Sequence, residues 1–403
     1  MKKGSLKDSS KAVPHEEVKE QEEEKAAKGN HVVQVESFWK GPMTDGIPNP
    51  MVIPKDRVPT GSNRFLPLQS CINGGTFTLA DRQYKSEAEL LSAKRYLKAG
   101  PRTHLYYDPN KVKAAIVTCG GLCPGENVVI RELVMMLWYS YGVKEIYGVK
   151  YGYEGFWKEK DGQSCYVRLV PSLAPFLKEA PKDILAVKDI HNLGGTILAS
   201  SRGGFDGDKI ADALQKRGIN QVYAIGGDGT HRGLLALSKI LKKRKIEISL
   251  IGIPKTIDND MPLIDKTFGF DSAVEIAMWA IQCADVEANS AEYGVGLVKV
   301  MGRTAGHIAV NASLANRDVN VCLIPEFPFD MYGPKGVLEY VIKRLKERRH
   351  CVIVAAEGAS VGMRDVNLGI EKHTDASGNV IPEVYHFFHL YIGYLHVPEE
   401  GNR

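Results

Sequence analysis

No apolar run in the 403 residues approaches the roughly 20 that a spanning helix needs, so no membrane partner is expected. Paired cysteines are also missing. Seven stand singly, at 71, 119, 123, 165, 283, 322 and 351, and an odd count without paired spacing argues against a disulfide framework. Cys119 and Cys123 lie four apart, but no histidine or second cysteine pair completes a zinc site. They read as reduced thiols in a cytoplasmic setting. Charge of one sign is scarce too: 52 basic against 48 acidic residues leave a net +4. Nucleic-acid binding usually shows as a concentrated basic face, so no nucleic-acid partner is expected. An anionic small substrate stays open, because a site can be basic when the whole is not.

What is present is an ordinary globular balance, 44% hydrophobic and 25% charged, long enough for two domains with cores of their own. Residues 1–30 mix both charge signs without an apolar segment and read as a disordered tail. Their many Glu residues argue against a transit peptide. Residues 31–104, rich in Pro, Gly and short polar stretches, read as an extension around a core that begins near Lys111. From there strands and helices alternate. "KAAIVTCGG", "EIYGVKYG", "QVYAIGG", "ISLIGIP", "GVGLVKVMG", "VCLIPE" and "CVIVAAEG" are predicted strands. Helices are predicted after Pro124, over "DKIADALQKRG" with Gly218 as its stop, and over "HRGLLALSKILKKRK". Ser272 and Glu275 have capping-box spacing, with Val274, Ala277, Met278, Ile281 and Ala284 on one helical face behind them. Apolar strands alternating with helices predict an α/β fold with mostly parallel, doubly wound sheets.

In such sheets the ligand crevice lies outside the carboxyl ends of the strands. Several small and acidic motifs cluster there. "TCGGLCPGEN" (118–127) reads either as a turn whose amides receive a phosphate or as a tight βα turn that needs glycine. "GGDGT" (226–230) is more specific. Its glycines let phosphates approach the backbone, and Asp228 suits Mg²⁺, which takes oxygen ligands and few of them from protein. Thr230 is placed to cap the following helix. "PKTIDND" (254–260) sets Thr256, Asp258, Asn259 and Asp260 on a loop after a buried strand. Two carboxylates so close can be pushed apart in pKa, leaving one as a base; an Asx-type turn is the competing reading. Arg303 in "VKVMGRTAG" and Arg202 in "ASSRGG" suit phosphate recognition through forked donors; a surface arginine near a helix start and a flexible surface loop are the competing readings. Glu357 in "VAAEG" suits sugar hydroxyls, or a local cap.

Assembled in this order, the motifs resemble those of the phosphofructokinases, most closely the plant and protist ATP-using branch, whose members carry "GGDGT" together with "PKTIDND". The resemblance covers roughly residues 100–380. It implies two Rossmann-like domains of the phosphofructokinase type, a nucleotide-binding one over 105–269 and a sugar-phosphate-binding one over 270–380. By similarity Gly121, Tyr153, Arg202, Gly203, Gly227, Asp228, Gly229 and Thr230 would line the ATP side, with Asp228 on Mg²⁺. Asp258 would be the general base toward the C1 hydroxyl of fructose 6-phosphate, supported by Thr256 and Asp260. Ile257, Met301, Gly302, Arg303 and Glu357 would bind the sugar phosphate. The implied product is fructose 1,6-bisphosphate, formed in glycolysis by an allosterically controlled, cytoplasmic homo-oligomer, a dimer or tetramer. Gly229 leaves room for the α-phosphate of a nucleotide, whereas Lys255 is the residue that pyrophosphate-using relatives carry; ATP is the expected donor and pyrophosphate the runner-up.

Two features depart from the family. Glu126 stands where the family's "PGLN" has an apolar residue, which sets an acid near the phosphate turn. After "HTDASGN" the sequence runs into an aromatic, histidine-rich tail, 381–403, unlike the family. That tail suggests an alternative splice product or an imperfect gene model, and with it a non-catalytic or regulatory chain as a further alternative.

Overall fold

The computed structural model describes residues 104–173, 183–261 and 264–362, plus two-residue strands at 47–48, 76–77, 96–97, 373–374 and 380–381. The expected tails 1–30 and 381–403 lie, but for Ile381, outside the described residues. Two sheets organise the chain. The first contains β1 (Lys113–Thr118), β2 (Glu145–Val149), β3 (Tyr166–Val170), β4 (Ile184–Ala186), β5 (Gln221–Gly226) and β6 (Ser249–Pro254). Its order is β6-β5-β1-β2-β3-β4. All pairings are parallel except β2 with β3.

Strand β1 shows why the sheet is covered on both sides. Ala115 and Val117 join one core with Ile210, Ala211 and Leu214 of α2 (Gly207–Arg217) and with Leu234, Leu237 and Leu241 of α3 (Asp228–Arg244). Ala114 and Ile116 face the opposite core, with Ile130 and Val134 of α1 (Glu126–Met135). A strand whose central run, Ala114 to Val117, is apolar at consecutive positions has two faces to bury, and helices on both sides bury them. As predicted, α2 stops at Gly218, which takes the left-handed conformation, φ 66°.

The second sheet is smaller and wholly parallel. It orders β7 (Gly294–Val300), β9 (His350–Ala356) and β8 (Val321–Leu323) as β7-β9-β8. Val352, Val354 and Ala356 pack with α4 (Phe270–Ser290) and α5 (His307–Ala315); Ile353 and Ala355 face Val341 and Leu345 of α6 (Val337–Arg348). The predicted face of α4 holds: Ala277 and Ile281 are buried, with Val274, Met278 and Ala284 packed beside them.

Two local readings are corrected. Ser272 does not cap α4, because the helix already begins at Phe270 after Gly269, whose φ is 89°. A Cβ there would run into Cys123 Sγ and overcrowd Pro124. Glycine thus turns the chain under the first sheet's loops and starts the helix early. Thr230 likewise does not cap α3. Gly227 is the N-cap and Asp228 the first helical residue, which places Thr230 inside the first turn.

Candidate active site

Parallel register gathers the motifs. Gly226 pairs with Pro254, and Val300 with Ala356. The residues that follow in each pair therefore leave adjacent strands side by side. The Lys255 amide donates to Gly226 O at 2.9 Å. The Gly358 amide donates to Gly302 O at 2.8 Å, which joins the Glu357 and Arg303 loops.

On the first sheet, the turn after β1 is held by the 199–204 loop. The Gly120 amide donates to Ser201 O at 3.0 Å, and Ser200 Oγ donates to Gly120 O at 2.6 Å. Gly120 has φ 85°, a conformation that favours glycine. A Cβ at Gly121 would stand 3.3 Å from Arg202 Nη2, so Gly121 and Arg202 are neighbours; Gly203 follows in the same loop with φ 78°. "GGDGT" opens α3. Gly226 is packed so tightly that a Cβ would overlap the Thr230 side chain, whereas a Cβ at Gly229 would meet nothing within 4 Å. Asp228 begins the helix, where a carboxylate is favoured by the helix dipole, and its Oδ2 lies 2.6 Å from Arg232 Nη2. Tyr153 is buried beneath this turn, and its hydroxyl donates to Thr230 O at 2.6 Å. It supports the turn from the core side.

"PKTIDND" forms a braced loop. The Asp258 amide donates to Thr256 Oγ1 at 3.1 Å. Asn259 takes a left-handed φ of 55°, and its Oδ1 accepts from the Thr267 amide at 2.8 Å. Thr267 Oγ1 donates to Thr256 O at 2.6 Å. The local-turn reading holds for Asn259 and Thr256, which brace the turn, while no such bond engages the side chains of the two aspartates among those that hold it. Ile257 packs against the second core. Burial, then the nearby Asp260 and Glu357 charges, push the Asp258 carboxyl up to about 6, against the opposing pull of Arg303. Asp260, Glu357 and Arg303 thus each act electrostatically on Asp258. Met301 is exposed, and Gly302 takes φ 125°, with Ala305 O where a Cβ would be.

Residues 113–386 match the family model described as Phosphofructokinase. The chain belongs to the phosphofructokinase family.

Relatives agree. The chain is 51% identical over 303 residues to ATP-dependent 6-phosphofructokinase 2 of Arabidopsis thaliana, covering 75% of this chain and 64% of that one. It is 44% identical over 329 residues to an ATP-dependent 6-phosphofructokinase of Borreliella burgdorferi, covering 80% and 68%. The chain thus spans less than two thirds of the length of the plant relative. A solved structure of a pyrophosphate-dependent phosphofructokinase from Nitrosospira multiformis shares the fold, with a TM-score of 0.51, 22% identity, and 64% and 63% of the two chains covered.

Within this phosphofructokinase chain, structure adds residues that motif reading passed over. Thr267 holds the "PKTIDND" loop by bonding that motif's own Asn259 and Thr256, and Ser200 and Ser201 hold the turn at Gly120. His231, buried behind "GGDGT", holds Gly227 O through Nδ1 at 2.9 Å. Burial lowers its pKa, so the neutral ring is favoured. A hydroxyl or amide that braces a loop from far along the chain leaves no periodic signal in sequence. Among the described residues the cysteines are free, as read from their spacing, and no helix is long and apolar enough to cross a membrane.

Proposed function

We propose that this chain transfers the γ-phosphoryl group of ATP to the C1 hydroxyl of fructose 6-phosphate, giving fructose 1,6-bisphosphate and ADP. The observation that carries the reading is Asp258. Its Oδ1 is shielded from solvent without a hydrogen-bond donor, a state that costs about 1–3 kcal/mol and that an incoming hydroxyl would relieve. With its carboxyl pushed up to about 6, it is charged at neutral pH yet basic enough to accept a proton.

Arg303 and Glu357, with Ile257, Met301 and Gly302, would hold the sugar phosphate beside Asp258. Gly121, Arg202, Gly203 and the amides of Gly227, Gly229 and Thr230 would receive the nucleotide phosphates at the α3 N-terminus. Tyr153 supports that turn. The sugar O1 attacks the γ-phosphorus while Asp258 takes the hydroxyl proton, and the bond to the ADP oxygen breaks. Thr256 sets the loop, and Asp260 keeps the Asp258 carboxyl basic by like-charge repulsion.

The donor set at Asp228 fits Mg²⁺. Among the described residues no group of three His, Cys, Asp or Glu side chains gathers. Mg²⁺ needs only one or two carboxylates when water and substrate phosphates complete its shell, and Asp228 stands beside the open space at Gly229. When bound, the ion would neutralise charge on the phosphate oxygens.

Relatives named ATP-dependent support ATP as donor; Lys255, shared with pyrophosphate-using members, keeps pyrophosphate as the second reading. We assign residues 105–269 to the nucleotide and 270–380 to the sugar phosphate, in a cytoplasmic homo-oligomer. The test is turnover of fructose 6-phosphate by purified chain, with MgATP and with magnesium pyrophosphate in parallel and the Asp258→Ala variant as control. Turnover with ATP that vanishes in the variant is expected. A folded chain that binds ATP but turns over neither donor would overturn the catalytic reading and leave the regulatory one.

A further inference from the structure

Glu126, the acid that departs from the family, does not point at solvent. Its side chain is 0% exposed and that of Lys255 is 4%. The Lys255 ammonium lies 3.3 Å from Glu126 Oε1 and donates its hydrogen bond to Gly121 O, the carbonyl of the phosphate turn. Neither Glu126 oxygen has a properly aligned hydrogen-bond donor. Burial pushes the Glu126 carboxyl up, and the Lys255 charge opposes this. The lysine thus meets its carboxylate chiefly as a charge, at the long end of hydrogen-bond distance. A Cβ at Gly120 would stand 3.7 Å from Lys255 Nζ, so the pair sits directly under the turn that would receive the donor's phosphates.

Two buried opposite charges at this distance act on a third group mostly as a neutral pair. We propose that Glu126 sets donor selectivity: it cancels the charge of Lys255 under the phosphate turn and so favours a nucleotide over inorganic pyrophosphate. The inference rests on the phosphoryl-transfer reading above. The chemistry is asymmetric between donors. Pyrophosphate is held by charge and hydrogen bonds to phosphate oxygens alone. A nucleotide also has a base and a ribose to bind by. A silenced cation beside the phosphates therefore weakens pyrophosphate more. An apolar residue at 126 would leave Lys255 as a net positive charge facing the turn.

The test is calorimetric binding of magnesium pyrophosphate and of MgATP to the full chain. Wild type, Glu126→Gln, Glu126→Leu and the double variant Glu126→Leu/Lys255→Met are compared, with thermal melts alongside. Both single variants are expected to tighten pyrophosphate about tenfold, the scale of one charge interaction in a partly screened site. MgATP should move by less than about threefold. The double variant should return the ratio of the two dissociation constants toward the wild-type value. Glutamine keeps the volume of glutamate, so it serves if leucine prevents folding. The proposal is overturned if the ratio in Glu126→Gln stays within about twofold of wild type, if the double variant keeps the shifted ratio, or if no form binds pyrophosphate. A merely structural role would weaken both donors together. Failure of the kinase reading would show separately, as a chain that binds a donor but turns over none.

Discussion

Replacing Asp258 by asparagine should abolish turnover and stabilise the fold. Its carboxyl is pushed from the ordinary 3.8 to about 6, chiefly by burial. The folded state therefore holds the proton more tightly than the unfolded chain does. Between pH 4 and 6 the native state binds more protons, so stability falls as pH rises through that window. Above pH 6 the charged group must be carried at full cost. A shift of roughly 2 units at 1.36 kcal/mol each gives about 3 kcal/mol. Asparagine has no charge to bury and should recover that amount at pH 8. The same linkage gives about half of it at pH 5 and little at pH 4. The assay is urea unfolding of wild type and variant at those three pH values, with turnover of fructose 6-phosphate measured in parallel. Loss of a general base should lower kcat by roughly 10²–10⁴, and wild-type turnover should fall off below about pH 6. The reasoning is refuted if the variant is no more stable at pH 8, or if its advantage is the same at pH 5 as at pH 8.

Neighbouring glycines of "GGDGT" should respond in opposite ways. Gly229→Ala meets no atom within 4 Å and removes a helical glycine, so melts should show a gain of about 0.5–1 kcal/mol. Gly226→Ala overlaps the Thr230 side chain and should lose 1–3 kcal/mol or so, as overpacked sites do; equal stabilities would contradict this. Thr267→Val removes the hydroxyl that donates to Thr256 O and should lower stability by about 1–2 kcal/mol. Because it loosens the loop that presents Asp258, kcat should fall more than KM rises, which steady-state kinetics would check. Gly302→Ala cannot keep φ 125° without strain and meets Ala305 O. It should cost about 1–3 kcal/mol and raise KM for fructose 6-phosphate, with KM for ATP nearly unchanged.

Much of the architecture was legible locally. Unbroken apolar runs within strands such as Lys113–Thr118 and His350–Ala356 announced sheets buried on both faces, and the 3.6-residue period of α4 placed Ala277 and Ile281 in the core. The short strands β3 and β4 carried no such run and were not read. Helix starts went wrong where a glycine with a special contact outweighed a capping pattern, as at Gly269 beneath Cys123.

By itself, the amino-acid sequence determined the chemistry available at each strand end: an acid between glycines in "GGDGT", paired acids in "PKTIDND", a forked cation at Arg303. Residue type and short spacing carry that information, because turns and parallel strands are local. Only the tertiary structure decided what those groups became. Asp258 owes its raised pKa chiefly to burial, then to Asp260 nearby and to Glu357, which follows β9 about a hundred residues later. Glu126 looked like an acid spoiling a phosphate turn until Lys255, 129 positions along, was found against it. Burial and charge act through space, and the packing of loops and helices from distant parts of the chain brings such residues together.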